Sequence, residues 1–284
     1  MNGKVCIVTG SNTGIGKATA LALAQKGATV VMVCRSRGRG EAARTEIAQQ
    51  SGRGDVDLLV ADLSLQSEIR RLAGEFRAKY DRLDVLINNA AVVLPKRTLT
   101  AEGVETMFAV NHLAYFLLTL LLLDVLKASR PSRIINVGSN AHRFIKRLDF
   151  DNLQGEKGFN SLRPYAMNKL ENLYFTYALS RRLEGTGVTV NALHPGVIHT
   201  ELNRSLPAPI VWFFNKFTKP PSEGASTPLY LASSPEVDGV SGKYFDECRE
   251  KSSTPVSYDV EAAEKLWPLS AKLTSADLAI PGAT

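Results

Sequence analysis

Tyr165 and Lys169, four residues apart, with Ser139 upstream of them, are the side chains in this sequence best suited to moving a proton on or off an oxygen. Residues at i and i+4 share a helix face, and an ammonium beside a phenol favours the phenolate. A group of pKa about 10 then serves as donor and acceptor near neutrality. Taken alone, the pair reads better as a surface tyrosine packed on a lysine stem. A second constellation is Thr9-Gly10-Ser11-Asn12-Thr13-Gly14-Ile15-Gly16, between a β-branched run and a helical pattern. Glycines at such a turn permit a tight bend and let backbone N–H groups approach a pyrophosphate at the positive end of the helix. A turn needing positive φ explains glycines almost as well, but their place on the first strand of a βαβ pattern favours dinucleotide binding. The next strand ends Val33-Cys34-Arg35-Ser36 without a carboxylate. An acidic residue there would bond a ribose 2′-hydroxyl, and an arginine accepts a 2′-phosphate, so NADP(H) is expected.

These residues need a scaffold, and the hydrophobic periodicity supplies one. Strands are predicted at Val5 to Val8, Thr29 to Val33, Val56 to Ala61, Val85 to Asn88, Arg133 to Val137 and Val188 to Leu193, with a seventh at Gly242 to Phe245. Helices are predicted near Gly14 to Gln25, Gly40 to Gln50, Gln66 to Lys79, Ala101 to Ala128, Tyr165 to Glu184 and Ser222 to Ala232. Short β-branched runs alternating with helical segments signify an α/β fold with a doubly wound parallel sheet, a Rossmann fold. No repeat or linker divides the 284 residues, so a single dinucleotide-binding and catalytic domain over 1–284 is expected. Residues 197–221 break the alternation with Leu202, Leu206, Ile210, Val211, Trp212, Phe213, Phe214 and Phe217. A loop leaving the sixth strand there can cover a bound ligand, and we read it as an apolar substrate lid. Core packing and a membrane-surface helix are the competing readings.

The sequence resembles the short-chain dehydrogenase/reductase family over nearly its whole length. Thr9 to Gly16 matches the family's glycine motif, Asn88-Asn89-Ala90 its N-N-A-G motif with Ala91 in place of the glycine, and Tyr165-Ala166-Met167-Asn168-Lys169 its Y-x-x-x-K. Asn111, Ser139 and Pro195-Gly196 follow in the expected order. Arg35, the Ser139 to Tyr165 spacing, Leu193 to Val197, Glu223-Gly224-Ala225 and Ser241 to Phe245 look more like the retinol dehydrogenase-like branch. The resemblance implies Tyr165 as general acid, Ser139 as hydrogen-bond partner of the substrate oxygen, Lys169 as tuner of Tyr165 and ribose ligand, and Asn111 as holder of a proton-relay water. It implies cofactor contacts from Gly10, Ser11, Asn12, Thr13, Gly14, Ile15, Gly16, Asp62, Leu63, Asn89, Ala90, Tyr165, Lys169, Pro195, Gly196, Val197 and Thr200, beside Arg35. Asn89 is as well suited to bracing the central strands. Gly138 and Asn168 stand where relatives often carry serine.

The expected activity is thus hydride transfer between a nicotinamide and a carbonyl or alcohol carbon of a lipophilic, retinal-like substrate. The rivals are a dinucleotide-binding sensor that has lost catalysis and a sugar-nucleotide epimerase. A sensor needs no proton donor, and an epimerase has a longer C-terminal part. The net charge of +6 comes from scattered basic residues rather than a stripe, so nucleic acid is not an expected partner. Four histidines and three cysteines lack metal-ligand spacing, and no metal is expected. The odd, widely spaced cysteines suit a reducing compartment, and neither a signal peptide nor a transmembrane segment is read, which gives a cytoplasmic expectation. Phe116 to Leu123 on a long helix suggests a subunit contact in a homodimer or homotetramer.

Overall fold

Apolar residues fill both faces of the first strand, and this decides the architecture. In β1 (Val5–Thr9) the residues Ile7 and Val8 are fully buried on opposite sides of the sheet, so successive side chains enter different cores. A strand covered on both faces reads as a continuous apolar run, as parallel strands between two helical layers do. The computed structural model describes residues 1–198 and 219–277. In chain order the elements are β1, α1 (Gly14–Gln25), β2 (Thr29–Cys34), α2 (Arg37–Ser51), β3 (Val56–Val60), α3 (Gln66–Lys79), β4 (Val85–Asn88), α4 (Thr106–Phe108), a π turn (Ala109–Leu113), α5 (Ala114–Leu121) and α6 (Leu123–Ala128). They continue with β5 (Ser132–Val137), α7 (Leu162–Arg182), β6 (Val188–His194), α8 (Pro221–Gly224), α9 (Ser226–Ser233), β7 (Tyr244–Asp246), β8 (Arg249–Lys251) and α10 (Val260–Thr274).

The strands form one sheet in the order β3-β2-β1-β4-β5-β6-β7-β8, parallel throughout except for the antiparallel pair β7 and β8. The order reverses between β1 and β4, and ligands of such sheets lie beyond the carboxyl ends of the strands at that reversal. On one face Ile7, Val33, Leu86, Ile134 and Val190 pack under α3, α5, α7 and α10. On the other, Val8, Met32, Ile87, Ile135 and Leu193 pack under α1, α2 and α9. The helix ends follow local chemistry. Ser36 Oγ accepts from Arg39 N at the start of α2, and Gly52 ends that helix with φ of 66°. Asp259 accepts from Ala262 N at 2.9 Å at the start of α10.

Three expectations need correction. The helix expected from Ala101 to Ala128 begins at Thr106, where Glu105 caps it by accepting from Phe108 N at 2.7 Å. It passes through the π turn and is broken again at Leu122. The sheet carries an unanticipated eighth strand, whose residues Arg249, Glu250 and Lys251 are all exposed. Finally, Phe116, Leu117, Leu118, Leu122 and Leu123 are buried within the chain itself. The Phe116 ring lies 5.4 Å from that of Phe175 in α7 and 5.0 Å from that of Trp267 in α10. These residues are core rather than a subunit face.

Candidate active site

Every sequence-predicted site residue in the described part of the chain sits at or beyond the carboxyl end of a parallel strand, or on a helix crossing that edge. After β1 the chain turns through Gly10 and Gly14, with φ of 67° and 56°. A Cβ on Gly10 would stand 2.8 Å from Ala90 Cα, and one on Gly16 would collide with the Gly10 carbonyl oxygen, so these two positions admit only glycine. No side chain caps the start of α1, so the first-turn amides at Gly14 to Gly16 are open to an anion. Asn12, Thr13 and Ile15 are partly exposed there. Ser11 plays a different part: its Oγ accepts from Val33 N at 3.1 Å, tying β1 to β2.

Asn89 is a brace. Its Nδ2 donates to Thr9 O at 2.7 Å, while Thr9 Oγ1 accepts from the amides of Asn89 at 2.8 Å and Ala90 at 3.0 Å. These bonds hold β1 and β4 together below the glycine turn. Arg35, past β2, exposes most of its side chain, with Nη1 3.8 Å from Asp62 Oδ2. Asp62 Oδ1 also accepts from Ser64 N at 3.0 Å, and Leu63 is buried in the core. Pro195, Gly196 and Val197 follow β6, with Gly196 at φ of 91° and Val197 exposed. Thr200 and the residues 199–218 of the expected lid lie outside the described residues.

The proton-handling groups meet where β5 ends beside α7. Ser139 follows Gly138, whose amide donates to Leu193 O at 2.7 Å and where a Cβ would stand 2.8 Å from that same oxygen. Ser139 Oγ accepts from Ala141 N at 3.2 Å and is hydrogen-bonded to the Tyr165 phenol. Burial raises the phenol above its ordinary pKa, and the Ser139 bond pulls it part of the way back. Lys169 is buried and donates from Nζ to Val137 O at 2.8 Å, with Nζ 5.6 Å from the ring centres of both Tyr165 and Tyr115. Burial pushes its ammonium down to about 7. Burial is the largest influence on the Tyr165 phenol in this arrangement, and it holds the proton on the oxygen.

Asn111 lies in the π turn, fully buried, where Ala114 N bonds back five residues to Ala109 O. Its Oδ1 accepts from Val92 N at 2.8 Å, and its Nδ2 donates to Val92 O at 2.9 Å and to Asn168 Oδ1 at 3.3 Å. Its main-chain carbonyl accepts from Asn172 Nδ2 at 2.8 Å. Asn168 in turn donates from Nδ2 to Glu171 Oε2 at 2.9 Å. Burial, together with the charge of Glu105, raises the Glu171 carboxyl to about 8 against the pull of that bond. Glu171 and Asn172 were not singled out from sequence, and neither was Tyr115, whose buried hydroxyl lies among these groups. Their nearness to Lys169 and Asn111 on the same helices was the available signal. Among the described residues no His, Cys, Asp or Glu cluster suits a metal ion, and no helix is long and apolar enough to cross a membrane.

Comparison with known proteins agrees with this geometry. The profile of the short chain dehydrogenase family matches residues 4–210. The chain is 45% identical to retinol dehydrogenase 14 of Mus musculus, over 95% of this chain and 85% of that protein. A crystal structure of an uncharacterised protein from Mycobacterium paratuberculosis superposes with a TM-score of 0.81 at 30% identity, covering 98% of this chain and 96% of that one. The NADP complex of RhlG from Pseudomonas aeruginosa does so with a TM-score of 0.71 at 25% identity, covering 87% and 95%.

Proposed function

The chain belongs to the short chain dehydrogenase family, in the branch the retinol dehydrogenases occupy, and on that premise we propose that it is an NADP(H)-dependent oxidoreductase acting on a lipophilic carbonyl or alcohol. The observation that carries the reading is the convergence of Ser139, Tyr165 and Lys169 at the strand ends that also hold the open glycine turn. The residues present fit a dinucleotide. The free amides of Gly14 to Gly16 suit the pyrophosphate, Asp62 suits the adenine side, and the exposed guanidinium of Arg35 suits a 2′-phosphate. When bound, the nicotinamide supplies or accepts the hydride at carbon.

The chain's own groups handle the oxygen. In the reducing direction the Tyr165 hydroxyl, kept protonated by burial, gives its proton to the carbonyl oxygen as negative charge develops there. Ser139, whose hydroxyl is hydrogen-bonded to the Tyr165 phenol, stands beside the same oxygen and can turn its hydrogen to steady it. Lys169, anchored at Val137 O, is aimed along the floor of the site, where it can hold ribose hydroxyls. The lipophilic substrate is supported by the apolar composition of residues 202–217 and by the exposed Val197 at the edge of the site. The free cysteines Cys6, Cys34 and Cys248 are in keeping with a reducing, cytoplasmic setting.

The test is turnover of retinal, decanal and a small polar aldehyde with NADPH and with NADH. We expect NADPH-dependent reduction favouring the apolar substrates. The Tyr165→Phe variant should bind NADPH nearly normally and lose activity by about 10² to 10⁴. Unchanged turnover in that variant would remove Tyr165 as the proton donor.

A further inference from the structure

Ser139 is followed by a 3-10 turn, Asn140–Phe144, that ends at the exposed Phe144 but buries His142 completely. The imidazole lies between two main-chain groups from distant parts of the sequence. Its Nδ1 is 2.6 Å from Ser139 O, and its Nε2 is 3.2 Å from the amide nitrogen of Thr254. An amide can only donate, so Nε2 is the bare acceptor. Nδ1 therefore carries the hydrogen and donates to the Ser139 carbonyl. The tautomer is fixed by its neighbours, and burial pushes the ring down to about 4, so it stays neutral at working pH. The ring also stands edge-on to Tyr244, 5.2 Å away at 78°.

The bond matters because of what it holds. The Ser139 carbonyl accepts from His142 Nδ1 and, at 3.2 Å, from the His142 amide. Ser139 Oγ, on the same residue, is hydrogen-bonded to Tyr165. The far nitrogen leads to the segment after β8, which Arg143 Nη2 also grips by donating to Ser252 O at 2.8 Å. In that segment Ser253 Oγ and Ser257 Oγ form, with the Tyr177 hydroxyl of α7, a buried chain of contacts at 2.7 and 2.6 Å. The serine turn is thus tied to a well-bonded base by the imidazole and by the Arg143 guanidinium, and of the two only the imidazole also bonds Ser139 itself.

We propose that His142 is a positioning residue, which through its Nδ1 bond to the Ser139 carbonyl aims the Ser139 hydroxyl at Tyr165 and at the substrate oxygen. The inference rests on Ser139 acting as that oxygen's hydrogen-bond partner. It requires the donor at Nδ1 and, through the tautomer lock, the amide of Thr254.

The two carboxamide substitutions separate the two ends of the ring. In His142→Asn the side-chain NH₂ takes the place of Nδ1–H and still reaches Ser139 O. In His142→Gln the longer side chain places its oxygen near the Nε2 position, facing Thr254 N, and leaves Ser139 O without its side-chain donor. With NADPH and decanal, His142→Asn should keep kcat within about threefold of wild type. His142→Gln should lower kcat on the order of 10- to 100-fold, the scale of a misplaced catalytic group, with the NADPH Kd unchanged and both variants melting alike. If kcat is wild-type in both, or falls in both in proportion to melting temperature, the proposal is wrong. Ser139→Ala is the control. Full activity there refutes Ser139's role itself, whereas a dead Ser139→Ala beside a fully active His142→Gln refutes only the part given to His142.

Discussion

Glu171→Gln is expected to stabilise the protein, and to do so more strongly as pH rises from about 5 to about 8. Glu171 is fully buried on α7, with Oε2 bonded to Asn168 and Oε1 without a hydrogen-bond partner, and its carboxyl is raised from the ordinary 4.5 to about 8. Below the lower value the group is protonated in both folded and unfolded chains and has no effect on the pH dependence. Between the two values the unfolded chain releases the proton while the folded chain keeps it, so folding becomes less favourable as pH rises. Above about 8 both states are ionised and the loss is complete. The slope approaches ~1.4 kcal/mol per pH unit inside the window, which amounts to a few kcal/mol across it. Glutamine keeps an oxygen for Asn168 Nδ2 and cannot ionise, so it removes the slope while adding a constant offset for its NH₂ group. Urea unfolding at pH 5, 6, 7 and 8 reads the difference between variant and wild type. A difference independent of pH, or one that shrinks as pH rises, would refute a protonated buried Glu171. Glu105→Gln should bring the upper end of that pH window down, because the Glu105 charge adds to the raising of Glu171.

Arg35→Ala should lower the kcat/KM preference for NADPH over NADH by about 10- to 150-fold, the value of one charge-assisted contact of ~1.5–3 kcal/mol; an unchanged ratio would release Arg35 from the 2′-phosphate. Gly138→Ala sets a Cβ 2.8 Å from Leu193 O, and thermal unfolding should show a loss of about 1–3 kcal/mol, with kcat falling because Ser139 moves with the strand end. Wild-type melting would mean the β5–β6 junction yields easily. Burial lowers Lys169 from 10.5 to about 7, so the folded chain loses stability as pH falls towards that lower value. Calorimetry of Lys169→Met should therefore show a larger gain over wild type at pH 6 than at pH 9, with activity lost at both.

The sheet and the glycine turn were legible because they depend on patterns local to a few residues: β-branched runs on six strands and glycines where only glycine fits. The π turn was not. Val110 to Leu118 is apolar or buried on every side, so inserting one residue into the helix leaves no stripe to go out of register. The fate of Phe116 to Leu123 was hidden for a different reason: the side chains that cover it, Phe175 and Trp267, come from helices far along the chain. Strand β8 escaped because Arg-Glu-Lys has the composition of a loop, and only its pairing to β7 makes it a strand. Of the candidate site, Tyr165 and Lys169 could be picked out by type and spacing and Ser139 by its place past a strand end, whereas Asn111 was reached only through the family resemblance. Ser11 and Asn89 turned out to act on the backbone, binding Val33 and Thr9, since a sequence does not say which way a short polar side chain turns. His142 was read as one histidine without metal partners; its use appears only when Thr254 arrives from the far end of the chain.

The charged strand at the end of the sheet bears on how copies of this chain can meet. An unpaired strand edge offers a row of amides and carbonyls to any other chain that arrives extended, and long side chains of alternating sign make that approach unfavourable. Arg249, Glu250 and Lys251 place such a guard on the β8 edge, with Lys243 of the neighbouring turn held to Glu250 at 2.9 Å. Growth of the sheet from one molecule into the next is discouraged on that side, which protects a β-rich core against edge-to-edge aggregation and leaves helical surfaces as the ground on which an ordered assembly would have to be built.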